Sequence, residues 1–230
     1  MPRYHTILLD ADQTLLDFKR SESAALTEAL AEMGVDADEN MLNKYSEINS
    51  ATWKRLERGE IAKSDLKTVR FAEFCKWYDL SLDIVRLAEQ YLASLATKTF
   101  LIEGALEVCR RLSQYCRLYI ITNGIASVQH GRLDHSSLRP YFHDIFISDE
   151  LGAEKPEKAF FEQVFHRIPN FDPNDTLVVG DSLTSDIQGG ICAGLDTCWL
   201  NPYDEKPFVD MKITYTVKRL EDVIPLVLGV

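Results

Sequence analysis

At 230 residues the chain is long enough for one large domain, or for one domain carrying an insertion, and either buries an ample core. Hydrophobic residues at 46% and charged ones at 27% describe an ordinary globule, while a net charge of -11 excludes the basic surface that a nucleic-acid polymer or an acidic membrane demands. Five cysteines, odd in number and without a Cys-x-x-Cys pair, exclude a disulfide frame and a zinc site and fit reduced thiols in the cytoplasm.

The first predicted element is a strand over Ile7, Leu8 and Leu9, an apolar run suited to burial on both faces, which stops at Asp10 and Asp12. Acids two apart in extended chain share a side, so both address one point beyond the carboxyl end of the strand, where open α/β sheets hold ligands. Two ionised carboxylates about 4 Å apart repel by about 4 kcal/mol at an effective dielectric near 20. The pair therefore calls for a counter-charge, and a hard divalent cation is the natural one.

Residues 18–97 carry helical periodicity only. Ala25, Leu26, Leu30 and Met33 form one stripe, and Met41, Tyr45, Ile48, Thr52 and Leu56 a second. Leu66, Val69, Phe74 and Trp77 form a third; Leu82, Val85, Ala88, Leu92 and Leu95, behind a cap at Ser81, form a fourth. Four helices in a row predict a helical domain, 18–97, inserted into a core of residues 1–17 and 98–230. Beyond it, helices at 104–115, 125–138, 156–168, 183–193 and 220–228 alternate with strands at 117–122, 145–148, 176–180, 196–200 and 213–217. This alternation predicts an α/β fold, a Rossmann-like parallel sheet with helices on both faces. No apolar signal region precedes the first strand, and no run reaches the roughly 20 apolar residues of a membrane helix.

Chemistry-bearing residues gather at the predicted strand ends: Asp10 and Asp12, then Thr122 and Asn123, then Lys155-Pro156, then Gly180-Asp181 with Asp186 five residues on. This order resembles the four motifs of the haloacid dehalogenase (HAD) superfamily, in the subfamily whose helical cap follows the first strand. Phosphoryl transfer explains the residue types. Asp10 suits an in-line nucleophile, Asp12 a general acid and base, Lys155 a partner for phosphoryl oxygens, and Thr122 with the Asn123 amide their hydrogen-bond donors. The resemblance implies Mg2+ held by the Asp10 carboxylate, the Asp12 backbone carbonyl and Asp181, with Asp186 behind them orienting Lys155 or metal-bound water. Four carboxylates against Lys155 alone make a phosphate dianion a poor ligand without the cation.

Within the superfamily, Asp12 speaks against the dehalogenase branch. Asp10-Ala11-Asp12-Gln13-Thr14-Leu15, Ser148-Asp149-Glu150-Leu151-Gly152 and Gly180-Asp181-Ser182-Leu183 are similar to the pyrimidine 5′-nucleotidases, although Gln13 stands where Gly or Asp is common. The resemblance implies a phosphatase of nucleoside 5′-monophosphates acting through an aspartyl-phosphate. A phosphoglycolate or sugar-phosphate phosphatase, a phosphomutase, a phospho-accepting receiver and a nucleotide-binding protein remain open at this point. The expected partner is a small phosphate monoester, and the expected state a monomer or weak homodimer. Phe18, where the chain leaves the core, is a candidate substrate contact, and Trp53, Phe71, Phe74 and Trp77 are candidates to stack a base.

Overall fold

The computed structural model describes residues 2–207 and 211–229. The chain divides into two compact units, Met1–Asp17 with Thr99–Val230, and Phe18–Lys98. In the first unit β1 (Thr6–Asp10) opens the fold and the chain then leaves it. The outgoing and returning segments run side by side, with Asp17 N–H donating to Phe100 O and Ile102 N–H to Leu15 O, each at 2.9 Å.

The second unit consists of α1 (Phe18–Glu32), α2 (Glu39–Glu57), α3 (Lys63–Trp77) and α4 (Ile84–Leu95). Its core is aromatic: Tyr45 stacks on Phe71 at 5.1 Å between ring centroids and meets Phe74 and Tyr91 at 5.7 and 5.4 Å. Phe71 and Phe74 are completely buried there and have no free face for a base. Trp77 departs from its predicted stripe and is 65% exposed, with the Lys44 ammonium 3.8 Å from its ring. Val85 is likewise exposed. The cap of α4 is Asp83 rather than Ser81, because its carboxylate sits immediately before the helix and accepts from Val85 and Arg86 N–H. A buried polar chain crosses this core: Arg70 Nη1 donates to Asn49 Oδ1 at 2.7 Å, and Asn49 Nδ2 to Glu22 Oε1 at 2.6 Å.

In the first unit α5 (Ala105–Leu112), β2 (Arg117–Thr122), α6 (Ala126–Asp134), β3 (Phe142–Ile147), α7 (Ser148–Leu151) and α8 (Lys158–Arg167) come next. They are followed by β4 (Thr176–Gly180), α9 (Gln188–Cys192), β5 (Asp196–Leu200), β6 (Tyr215–Val217) and α10 (Val223–Leu228). The strands form one parallel sheet in the order β3-β2-β1-β4-β5-β6, so the predicted α/β class holds. Both faces are packed. Ile7 and Leu9 of β1 join a cluster with α5 and α10, whereas Leu8 joins the opposite cluster with Phe160, Phe161 and Val164 of α8. Burying each such side chain stabilises the fold by about 1.5–3 kcal/mol, which explains the continuous apolar run.

Several boundaries differ from expectation; the helix expected over 125–138, for one, ends at Asp134. β3 starts at Phe142 because His143 and Asp144, exposed on this edge strand, hide the period that burial elsewhere makes visible, and Ser148 opens α7 instead of ending the strand. β6 is shorter than predicted. The helix expected over 183–193 is a π-helical turn, Leu183–Ile187, running into α9.

Candidate active site

The chain order reverses direction across the sheet between β1 and β4, the switch point where α/β sheets bind ligands. Asp10 is the last residue of β1, level with Ile121 of β2, and Leu9 is level with Val179 of β4. The next residues of the neighbours, Thr122 and then Gly180-Asp181, therefore arrive beside it. After Asp10 the chain folds tightly back, with Leu15 and Leu16 N–H donating to Ala11 O at 2.9 and 2.8 Å. Gln13 takes φ 60° there, a left-handed conformation that costs a residue with a Cβ about 1–2 kcal/mol. This is why glycine suits the position, and Gln13 keeps the turn at a local cost.

Lys155 reaches the same point from the loop after α7. Asn123 clamps that loop at both ends of its amide, Nδ2 donating to Lys155 O and Oδ1 accepting from Lys155 N–H, each at 2.8 Å. The Asn123 side chain is thus engaged by the loop, and any contact with phosphate falls to its backbone. The Lys155–Pro156 peptide is cis. Lys155 is 2% exposed, and its ammonium donates to Asp10 Oδ1 at 2.6 Å, to Asp186 Oδ1 at 2.6 Å and to Ile121 O at 2.9 Å. Asp186, the expected supporting acid, meets Lys155 with one oxygen and accepts from Ser182 N–H with the other at 3.1 Å. The π turn carries it inward, and the absence of a side chain at Gly180 makes the room: a Cβ there would lie 2.3 Å from Asp186 Oδ2.

Asp10, Asp181 and Asp186 each bring a carboxylate oxygen within 4.8 Å of the others. Burial first, then the charge of Asp186, pushes the Asp10 carboxyl well above the ordinary carboxylate range despite Lys155. The same two causes push Asp181 up to about 7. Burial works against the Lys155 ammonium, but Asp10 and Asp186 outweigh it and hold its pKa above the usual lysine value. One ammonium thus does not satisfy three carboxylates, two of them buried and Asp181 partly so. All-oxygen donors of this kind suit a hard cation such as magnesium or calcium. The Asp181 backbone is fixed in turn, its carbonyl accepting from Trp199 Nε1 at 2.9 Å.

Asp12 has partners that sequence reasoning missed. Arg132 of α6, completely buried, donates to Asp12 Oδ1, and Gln129 Nε2 donates to Asp12 Oδ2 at 3.0 Å and to Thr122 Oγ1 at 2.8 Å. Gln129 Oε1 also accepts from Arg132 Nη1 at 3.2 Å. The charge count changes accordingly: two cations, Lys155 and Arg132, stand against four carboxylates, and an excess of negative charge persists. Thr122 Oγ1 accepts from Gln129 and also from Gly124 N–H at 3.1 Å, so its own proton is left to donate outward. The sequence signal was Gln129, Arg132 and Leu133 at helical spacing, two polar residues on the buried stripe of a short helix. Phe18, the first residue of α1, is half-buried.

Residues 4–194 match the model of the haloacid dehalogenase-like hydrolase family, and the chain belongs to that family. Pyrimidine 5′-nucleotidase PynA of Streptococcus pneumoniae is 39% identical over 222 residues, covering 96% of this chain and 94% of PynA. Pyrimidine 5′-nucleotidase YjjG of Escherichia coli is 30% identical over 220 residues, 96% of either chain. The crystal structure of the HAD-hydrolase YfnB from Bacillus subtilis, bound to magnesium, superposes with a TM-score of 0.94 at 38% identity, covering 99% of this chain and 100% of that one. The receiver and passive-binder readings therefore fall away, since this is a hydrolase family. Among the described residues no helix is long and apolar enough to cross a membrane.

Proposed function

We propose that the chain is a magnesium-dependent phosphatase that hydrolyses nucleoside 5′-monophosphates, pyrimidine ones above all, through an aspartyl-phosphate on Asp10. The observation that carries this reading is the cluster at the switch point, where Lys155 joins the buried Asp10 to the buried Asp186 and the partly buried Asp181 completes an under-neutralised acid set. It is a phosphoric monoester hydrolase of the HAD-like family, and the named activity of PynA and YjjG supports the nucleotide as substrate. The magnesium in YfnB supports that ion over calcium. Five free thiols support a cytoplasmic setting.

The Asp10 carboxylate and Asp181, with the Asp12 backbone carbonyl, would hold magnesium, which supplies charge screening between nucleophile and phosphate. An Asp10 oxygen bonds to phosphorus as the ester P–O bond breaks, and the departing oxygen keeps the bonding pair and takes a proton from Asp12. Water then bonds to phosphorus and gives its proton to Asp12 as the bond to Asp10 breaks, which regenerates the carboxylate. The Thr122 hydroxyl, the Asn123 backbone N–H and Lys155 hold the phosphoryl oxygens. Phe18, directly after the loop bearing both acids, is the proposed contact with the nucleoside.

Phosphate release from uridine, cytidine and thymidine 5′-monophosphates should exceed release from purine nucleotides, phosphoglycolate and sugar phosphates, and should vanish with chelator. A ranking led by phosphoglycolate or a sugar phosphate would overturn the nucleotide assignment. A second check uses the pH dependence of stability. Asp181 titrates at about 7 when folded, against about 3.9 for a free aspartate. Its raised folded value means the metal-free protein binds the proton more tightly than the unfolded chain, so this site loses stability as pH rises from 4 through 7. Magnesium removes that loss, so the rise in melting temperature on adding it should be larger at pH 8 than at pH 5. An equal rise at both would contradict the site.

A further inference from the structure

The position of Asp12 is set by α6, a helix outside all four motifs that carry the family resemblance. Its carboxylate is gripped asymmetrically: Oδ1 takes a charge-assisted hydrogen bond from the buried Arg132 guanidinium, and Oδ2 takes a neutral one from the Gln129 amide. Charge-assisted bonds are roughly twice as strong as neutral ones, so Oδ2 is the oxygen that yields first. The Gln129 amide that holds Oδ2 also holds Thr122 Oγ1, so the oxygen that yields lies next to the hydroxyl of the phosphate site. Gln129 is itself tied to Arg132, and Gly124 leaves room for it, since a Cβ at Gly124 would lie 2.6 Å from its side chain.

We propose that Arg132, with Gln129, is a positioning residue for the leaving-group step, anchoring Asp12 through Oδ1 so that Oδ2 carries the proton to the departing oxygen. This rests on the phosphatase reading given above. In that step the ester P–O bond breaks, the nucleoside oxygen keeps the electron pair, and the proton passes to it from Asp12 Oδ2 while Oδ1 stays on Arg132. Proton delivery matters for a poor leaving group such as a nucleoside alkoxide. It matters little for p-nitrophenolate, which departs without a proton. Arg132 therefore acts on one class of ester more than the other, which a residue that merely stabilises the fold would not do.

The experiment compares kcat/KM, which reports the steps through departure of the leaving group, for uridine 5′-monophosphate and p-nitrophenyl phosphate with magnesium present. Arg132→Met should lower the nucleotide value by about 100-fold, within the range of general acid catalysis, and lower the ratio of nucleotide to aryl ester at least about tenfold. Arg132→Lys, which restores a cation beside Asp12, should recover part of the ratio. Adding Arg132→Met to Asp12→Asn should cost less than about threefold more, because the step it serves is already lost. An unchanged ratio in both Arg132 variants, or losses that multiply in the double variant, would overturn the positioning role. A wild-type protein inactive on both esters would instead overturn the phosphatase reading, so the two failures are distinguishable.

Discussion

Asp10→Asn abolishes phosphate release, by on the order of 10⁴-fold or more, and raises the melting temperature of the metal-free protein. The first effect follows from removing the oxygen that bonds to phosphorus. The second follows from the electrostatics of the site. Asp10 is buried at the end of a central strand, and burial and Asp186 disfavour its charge more than Lys155 favours it. A neutral amide of the same shape escapes that penalty, while Lys155 keeps Asp186 as its partner. The pairing of lost turnover with gained stability separates a catalytic acid from a structural one, which would lose stability on neutralisation. Phosphate-release assays and thermal melts in chelator read both halves.

Lys155→Met acts in the opposite direction on stability. The ammonium is buried with three acceptors on it, and its removal strands two buried carboxylates, a change that costs about 3–5 kcal/mol for a broken buried pair. Urea unfolding in chelator should show that loss. Asp186→Asn added to it should restore part of the stability, because one stranded charge disappears. Activity should fall by about 100- to 1000-fold through the loss of a fixed positive charge at the phosphoryl oxygens. A Lys155→Met protein as stable as wild type would mean that the acids do not depend on this cation.

Much of this arrangement is legible in the sequence because buried parallel strands write themselves as apolar runs. Arg117–Thr122, Thr176–Gly180 and Asp196–Leu200 end where their runs end, with Thr122 and Gly180 the last residues of their strands and Asp181 the next in line. Edge strands are less legible: β3 carries exposed His143 and Asp144, so half its length has no apolar period. Partners that meet only in three dimensions leave the weakest trace. Arg132 lies 120 positions from Asp12, and Trp199 lies 18 from Asp181. Helix periodicity likewise names a stripe but not its outermost members, which is why Trp77 and Val85 fall in solvent although Leu66 and Phe74 do not. The polar chain Glu22–Asn49–Arg70 is hidden for the same reason, since its members occupy buried positions that hydrophobicity alone would leave out.

In the proposed reaction Asp10 becomes covalently bound to phosphorus, and the stereochemical course of hydrolysis is the sharpest test of that bond. With a nucleoside 5′-phosphorothioate made chiral at phosphorus by one oxygen isotope and hydrolysed in water carrying another, two successive in-line displacements return chiral thiophosphate with its configuration retained. Retention is the expected result; inversion would mean that water attacks the ester in a single step and that Asp10 is not the nucleophile.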